Sequence, residues 1–150
     1  QRGWHDVPWA LQGYLQATTE AGIAQGVFTY GGNSGYTTSD EAYLIADRVI
    51  DSPERHSAIV CSSNYAALGL IKRWEERGVK IPDDISLFSC TNNLGLPKVM
   101  LPRLTTFESC YEQLGAHAVQ RCLGLPGAVD GERVKLKVAE GETTHRPNEH

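Results

Sequence analysis

Ser57-Ala58-Ile59-Val60-Cys61-Ser62-Ser63-Asn64 and Ile81-Pro82-Asp83-Asp84-Ile85-Ser86-Leu87-Phe88-Ser89-Cys90, joined by one amphipathic helix, decide the fold of this chain. Ala58 to Cys61 is a short apolar run rich in β-branched residues, which suits a strand buried on both faces of a parallel sheet. It stops at polar Ser62-Ser63-Asn64. Asn64 is placed to cap a helix in which Ala67, Leu70, Ile71 and Trp74 recur at helical spacing. Opposite them, Lys72, Arg73, Glu75, Glu76 and Arg77 read as a solvated face, with Lys72 and Glu76 four residues apart. Gly78 supplies the left-handed residue that ends the helix. Pro82-Asp83-Asp84 is turn chemistry rather than a catalytic carboxylate pair, and Ile85 to Cys90 forms the next strand. Two strands joined by one helix make a βαβ unit with a right-handed crossover. A loop then closes on Leu104-Thr105-Thr106.

Upstream, Asp6-Val7-Pro8 marks a helix start, with Leu11, Tyr14, Leu15 and Thr18 on one face and Gly22 and Gly26 ending it. Gly26 to Tyr30 has the composition of a strand, and Gly31-Gly32-Asn33-Ser34-Gly35 that of a loop. Thr38 and Glu41 have capping-box spacing for a helix that turns Ala42, Ile45, Ala46 and Val49 inward and stops at Ser52-Pro53. Downstream, a helix from about Ser109 to Leu123 carries Leu114, Ala118 and Cys122 in register and ends at Gly124. Arg133 to Val138 alternates polar and apolar residues as a half-exposed edge strand does. Gly141 to His150 reads as a polar, mobile tail, in which His145 and His150 are solvated rather than metal ligands.

The chain has 150 residues, of which 41% are hydrophobic, enough for one compact domain. Its formal charge of -4, without a basic stripe or recognition-helix pattern, argues against a direct grip on a phosphate backbone. Any DNA contact must be made by another segment. No apolar run has the length of a membrane span, and the first residues carry no signal-peptide pattern. Cys61, Cys90, Cys110 and Cys122 show no metal-ligand or CxxC spacing and read as small core residues of a cytoplasmic protein.

Order and spacing together resemble the effector-binding domain of the LacI/GalR transcription regulators. That family typically reads A-I-F-A-N-D-x-x-A-L-G, a helix ending in glycine, V-P-x-D-I-S-V-V-G-F-D-D and later P-L-T-T. The counterparts here are Ala58 to Gly69, Ile81 to Asn92, and Pro102-Arg103-Leu104-Thr105-Thr106. Looser likeness extends to Gly13-Tyr14, Glu20 to Ile23, Leu114-Gly115 and the final strand. The resemblance implies an α/β fold with a doubly wound parallel sheet, one lobe of a two-lobed periplasmic-binding-protein-like architecture, with the effector between lobes. Residues 1–140 would then be mainly the C-terminal lobe of a longer regulator, and 141–150 a tail. The sheet's first strand would precede Gln1, and DNA binding would belong to a helix-turn-helix outside this chain. In the family, the helix matching Ser109 to Leu123 packs on the other lobe.

The resemblance also implies the ligand positions Tyr36, Ser63, Asn64, Thr91, Asn92 and Ser109. Tyr36 matches an aromatic residue able to stack on a sugar or purine ring. Elsewhere the pattern departs: Ala10 stands where the family has an effector-binding arginine, Ser63-Asn64 replaces asparagine-aspartate, and Ser109 replaces glutamine. Thr91 and Asn92 replace two aspartates, the first of which accepts hydrogen bonds from neighbouring sugar hydroxyls. Neutral threonine and asparagine bond hydroxyls more weakly than a carboxylate does, so the expected effector is neutral, or not a simple sugar. Beside that stands the plainer reading that these residues finish strand ends and cap helices, Asn64 above all.

No cofactor or metal is implied. The implied partners are a small-molecule effector, carbohydrate or related, and a second copy of the chain, met through helix 65–77 and the loop Leu94 to Pro102. An extracytoplasmic solute-binding protein would share the architecture, although four unpaired cysteines argue against it. An enzyme is not expected: a thiol hydrolase built from a cysteine with His5, His56 or His117 has only residue types in its favour, with no nucleophile elbow, P-loop or GxGxxG motif.

Overall fold

The computed structural model describes residues 7–29, 38–91, 99–108, 110–125 and 134–145. In chain order the elements are α1 (Val7–Glu20), α2 (Ser39–Ile50), β1 (Ala58–Cys61), α3 (Asn64–Glu76), β2 (Ser86–Ser89), β3 (Thr105–Phe107), α4 (Tyr111–Cys122) and β4 (Val138–Ala139). The sheet runs β1-β2-β3-β4, with β1, β2 and β3 parallel and β4 antiparallel to β3. The βαβ unit expected from the sequence is therefore present, with Ala58 paired to Ser86 and Cys61 to Ser89. The sheet itself is mixed rather than wholly parallel.

Alternation along the strands assigns the two faces. Ile59, Cys61 and Leu87 point into the core, which α3 covers with Ala67, Leu70, Ile71 and Trp74, and α2 extends with Ala42, Ala46 and Val49. Burying each large side chain stabilises the fold by about 1.5–3 kcal/mol. Ala58 and Val60 turn to the other face, which α2 and α3 leave uncovered, and Val60 is 55% exposed. The expectation of a strand buried on both sides is thus corrected, because β1 lies at the edge of the described sheet. On that second face Phe88 and Phe107 meet edge to face at 5.0 Å.

Helices α2 and α3 approach closely because the residues between them are small. A methyl on Gly69 would strike the main chain of Ser39 and Tyr43 and the Ala42 side chain. The Thr38/Glu41 capping box forms in both directions, 3.2 Å from the Glu41 N–H to Thr38 Oγ1 and 3.0 Å from the Thr38 N–H to the Glu41 carboxylate. At its C-terminus α3 ends as expected at Gly78, with φ +72°. Its charged run is only partly a solvated face. Lys72 pairs with Glu76 at 3.5 Å, while Arg73 and Arg77 turn toward α2 and bind Asp47 and Asp51.

Residues 26–29 do not join the sheet, contrary to the strand expected over Gly26 to Tyr30; Tyr30 lies outside the described residues. The Tyr14 hydroxyl occupies both the N–H and the C=O of Gly26, and the Arg48 guanidinium bonds the Thr29 carbonyl, so these groups are engaged by side chains rather than by a ladder. Phe28 still packs on the core and edge-on to His56 at 5.2 Å. Helix α4 buries no residue of its own: Leu114 and Val119 are exposed, as is Leu123 at its C-cap.

Two further expectations change at the C-terminal end. Of the strand expected over Arg133 to Val138, Arg133 lies outside the described residues, and the remainder is reduced to a two-residue ladder at Val138–Ala139. The tail expected to be mobile from Gly141 is held through residue 145. Thr143 is fully buried, its hydroxyl donating to the Leu87 carbonyl at 2.6 Å and accepting from the Thr105 N–H at 2.9 Å. Its own carbonyl accepts from the Leu87 N–H at 2.7 Å, filling the flank of β2 below the point where β3 begins. Composition alone could not show this, because the segment is polar yet satisfies main-chain groups that would otherwise be buried without partners.

Candidate functional site

The carboxyl ends of β1, β2 and β3 lie side by side, the place where open α/β sheets bind ligands. Ser63, on the turn after β1, caps α3 by accepting from the Ala66 N–H at 3.1 Å. The helix cap expected at Asn64 is therefore made by its neighbour, whose extended backbone (φ -148°) is the geometry an N-cap needs. Asn64 instead lies inside the first turn, fully buried, and its Oδ1 accepts from the Ser89 hydroxyl at 3.1 Å.

Ser89 ends β2 facing the core. Its hydroxyl also bonds the Thr91 carbonyl at 3.2 Å, and the Thr106 hydroxyl on β3 donates to the carbonyls of Ser89 and Thr91, both at 2.9 Å. Three neighbouring strand ends are thereby stitched into one polar cluster: Asn64, Ser89, Thr91 and Thr106. Around it Ser63, Cys90 and Thr91 are half-buried, with the Thr91 hydroxyl oxygen itself enclosed. No member of the cluster carries a formal charge, so it offers neutral hydrogen bonds only.

Of the six positions implied by the motifs, the fold brings Ser63, Asn64 and Thr91 together at these strand ends. Tyr36, Asn92 and Ser109 lie outside the described residues. Ser89 and Thr106 were not singled out by the sequence reading. The signal for Ser89 was a hydroxyl two residues after Leu87, on the inward side of the strand, where period-two alternation places an apolar residue.

Cys61 closes β1 beneath this cluster, and burial pushes its thiol up to about 12, against a smaller downward pull from the Ser89 hydroxyl. Burial raises Cys90 as well. Both are therefore neutral thiols near pH 7, poor nucleophiles in either position. Among the described residues no three His, Cys, Asp or Glu side chains gather as metal ligands. A concavity along α1, lined by Leu11, Gln12, Leu15, Gln16, Thr19 and Glu20, shares no residue with the strand ends.

The family pattern of the periplasmic binding protein-like domain matches residues 6–144. The chain belongs to that family. Within it, the similar proteins are regulators of the LacI type. The HTH-type transcriptional repressor PurR of Vibrio atlanticus (strain LGP32) is 34% identical over 128 residues, which cover 85% of this chain and 35% of that protein. Among solved structures, a PurR family transcriptional regulator from Vibrio parahaemolyticus RIMD 2210633 superposes with a TM-score of 0.76 at 23% identity, covering 90% of this chain and 49% of the other. A LacI-type transcription regulator from Bifidobacterium animalis subsp. lactis DSM 10140 gives 0.69 at 27% identity, covering 91% and 49%.

The chain thus spans about a third of the length of the curated relatives it matches. The resemblance read from the motifs holds, and the periplasmic-binding-protein-like fold is that of LacI-type effector domains. That its relatives are transcriptional repressors favours a regulator over the solute-binding alternative. None of these relatives is named as an enzyme.

Proposed function

We propose that this chain is the ligand-sensing and self-associating part of a LacI-type transcription regulator, acting in the cytoplasm. It would bind a neutral small molecule at the carboxyl ends of its parallel strands and control DNA binding by a helix-turn-helix outside this chain. The observation that carries this reading is the cluster at Asn64, Ser89, Thr91 and Thr106, a set of buried, uncharged hydrogen-bonding groups where the fold holds ligands. Ser63 and Thr91, with Tyr36, Asn92 and Ser109, are the proposed contacts to the ligand. A carbohydrate or related polyol suits them, because hydroxyls both donate to and accept from neutral side chains.

Self-association has its own support. Tyr65 and Leu68 on α3, Leu44 on α2, and Val99 and Leu101 before β3 are large apolar side chains left exposed, Leu101 at 87%. Met100 between the last two is buried, so the segment is anchored while its neighbours face outward. No helix among the described residues is long and apolar enough to cross a membrane.

A thermal-shift screen of the full-length gene product against sugars, sugar phosphates, polyols and nucleobases tests the sensing role, since a ligand of the native state raises Tm by mass action. A shift confined to neutral, hydroxyl-bearing compounds, and lost in Thr91→Val, is the expected result. A preference for sugar phosphates, or a shift indifferent to Thr91, would overturn the placement of the ligand. Thr91→Asp puts a charge-assisted acceptor at the same position and should strengthen binding of simple sugars.

A further inference from the structure

We propose that Ser89 and Thr106 are positioning residues of the effector site, which set how Thr91 faces a ligand without touching the ligand themselves. This deepens the sensing role argued above and rests on it. Both residues are buried, Ser89 completely and Thr106 at 1% exposure.

Each hydroxyl has one proton, yet each faces at least two acceptors. Ser89 Oγ lies 3.1 Å from Asn64 Oδ1 and 3.2 Å from the Thr91 carbonyl; Thr106 Oγ1 lies 2.9 Å from the Ser89 carbonyl and 2.9 Å from that of Thr91. Two protons thus serve at least three acceptors. The Thr91 carbonyl is the acceptor common to both donors. Ser89 Oγ in turn accepts from the Thr91 N–H at 3.4 Å, so both main-chain groups of Thr91 are held by these two side chains. β2 ends at Ser89, and beyond it the chain has left the ladder with β3. Side-chain chemistry, from a residue of its own strand and one of the next, therefore helps to fix residue 91. A preorganised loop loses less freedom when a ligand binds, and affinity is gained by that route.

The test compares Thr106→Val, which keeps the shape and removes the hydroxyl, with Thr106→Ser, which keeps the hydroxyl, in the full-length protein. Amide hydrogen exchange at Thr91 is read against Ser86, whose N–H bonds Ser57 in the β1–β2 ladder. In Thr106→Val the Thr91 amide should exchange roughly 5- to 100-fold faster, the range expected when a buried acceptor loses its donor. Ser86 should keep its wild-type rate, and Thr106→Ser should restore Thr91. Unchanged exchange at Thr91 would overturn the proposal, as would equal acceleration at Thr91 and Ser86, which marks mere loss of global stability. Ser89→Ala gives a second reading of the same amide. Binding of D-ribose, lactose and adenosine, measured by calorimetry in the same variants, separates the two levels. If none binds the wild type while Thr106→Val still frees Thr91, positioning stands and the ligand class proposed for the site fails.

Discussion

The indole N–H of Trp74 donates to the main-chain oxygen of Ala46 over 3.1 Å, joining α3 to α2 inside the core where neither side chain has any exposure. The bond lets the largest side chain of the core be buried without stranding its polar atom. Trp74→Phe should lower the unfolding free energy by about 1–3 kcal/mol, from lost packing and the lost bond together. Urea unfolding should show the midpoint falling with the slope unchanged. An unaltered midpoint would mean that the two helices do not depend on this contact.

Gly69 reverses an ordinary rule. In a helix interior alanine is favoured over glycine by about 1 kcal/mol. Here the added methyl would meet the carbonyl oxygen of Ser39 and the amide nitrogen of Tyr43, so α2 must move away. Gly69→Ala should therefore destabilise the protein, by about 1–3 kcal/mol as overpacked sites do. Gly13, whose Cβ would meet nothing within 4 Å, is the control at which alanine should stabilise.

Asp47 accepts from Arg73 Nη2 at 2.6 Å and from Arg77 Nη1 at 2.9 Å. The Arg73 guanidinium foremost, with Arg77 adding to it, holds this carboxyl below its ordinary value of 3.8. With a depressed folded pKa, the unfolded chain takes up the proton more readily. The contribution is then present above about pH 3.8 and lost as pH falls through the lower folded value. Asp47→Asn should melt at a lower temperature than wild type at neutral pH, and the difference should close under strongly acidic conditions. Half-exposed pairs are also screened, so high salt should narrow it at any pH.

Thiol labelling should be graded by burial. Cys122 is exposed, whereas Cys61 is buried with its thiol pushed up to about 12. In the native protein at mildly alkaline pH, Cys122 should alkylate readily and Cys61 only on unfolding, as followed by mass spectrometry of digested samples. Equal rates at the two sites would mean that β1 opens far more often than its place in the core implies.

The βαβ unit was legible because each boundary had its own chemical mark: an apolar run, a helical repeat, Gly78, then Pro82 before the second strand. The Thr38/Glu41 box was legible for the same reason. Less could be read where partners came from far along the chain. β3 has three residues, too few for an alternation to show, and Leu104-Thr105-Thr106 was expected as a loop. Ser63 and Asn64 are both good caps, and only the backbone geometry at Ser63 separates them. For the candidate site, the motif pointed to Ser63, Asn64 and Thr91, whereas the roles of Ser89 and Thr106 depend on bonds between strands that no local pattern encodes. Composition made residues 141–145 look free, although Thr143 completes the sheet.

Thr143 and Leu87 are 56 positions apart. A nascent chain that has emerged through β2 and even β3 still has the Leu87 N–H and C=O awaiting their partners. The core can collapse early around α2 and α3, but the described sheet closes only after residue 143 has cleared the ribosome. Closure of the sheet thus waits on residue 143, with contacts of long sequence separation formed last.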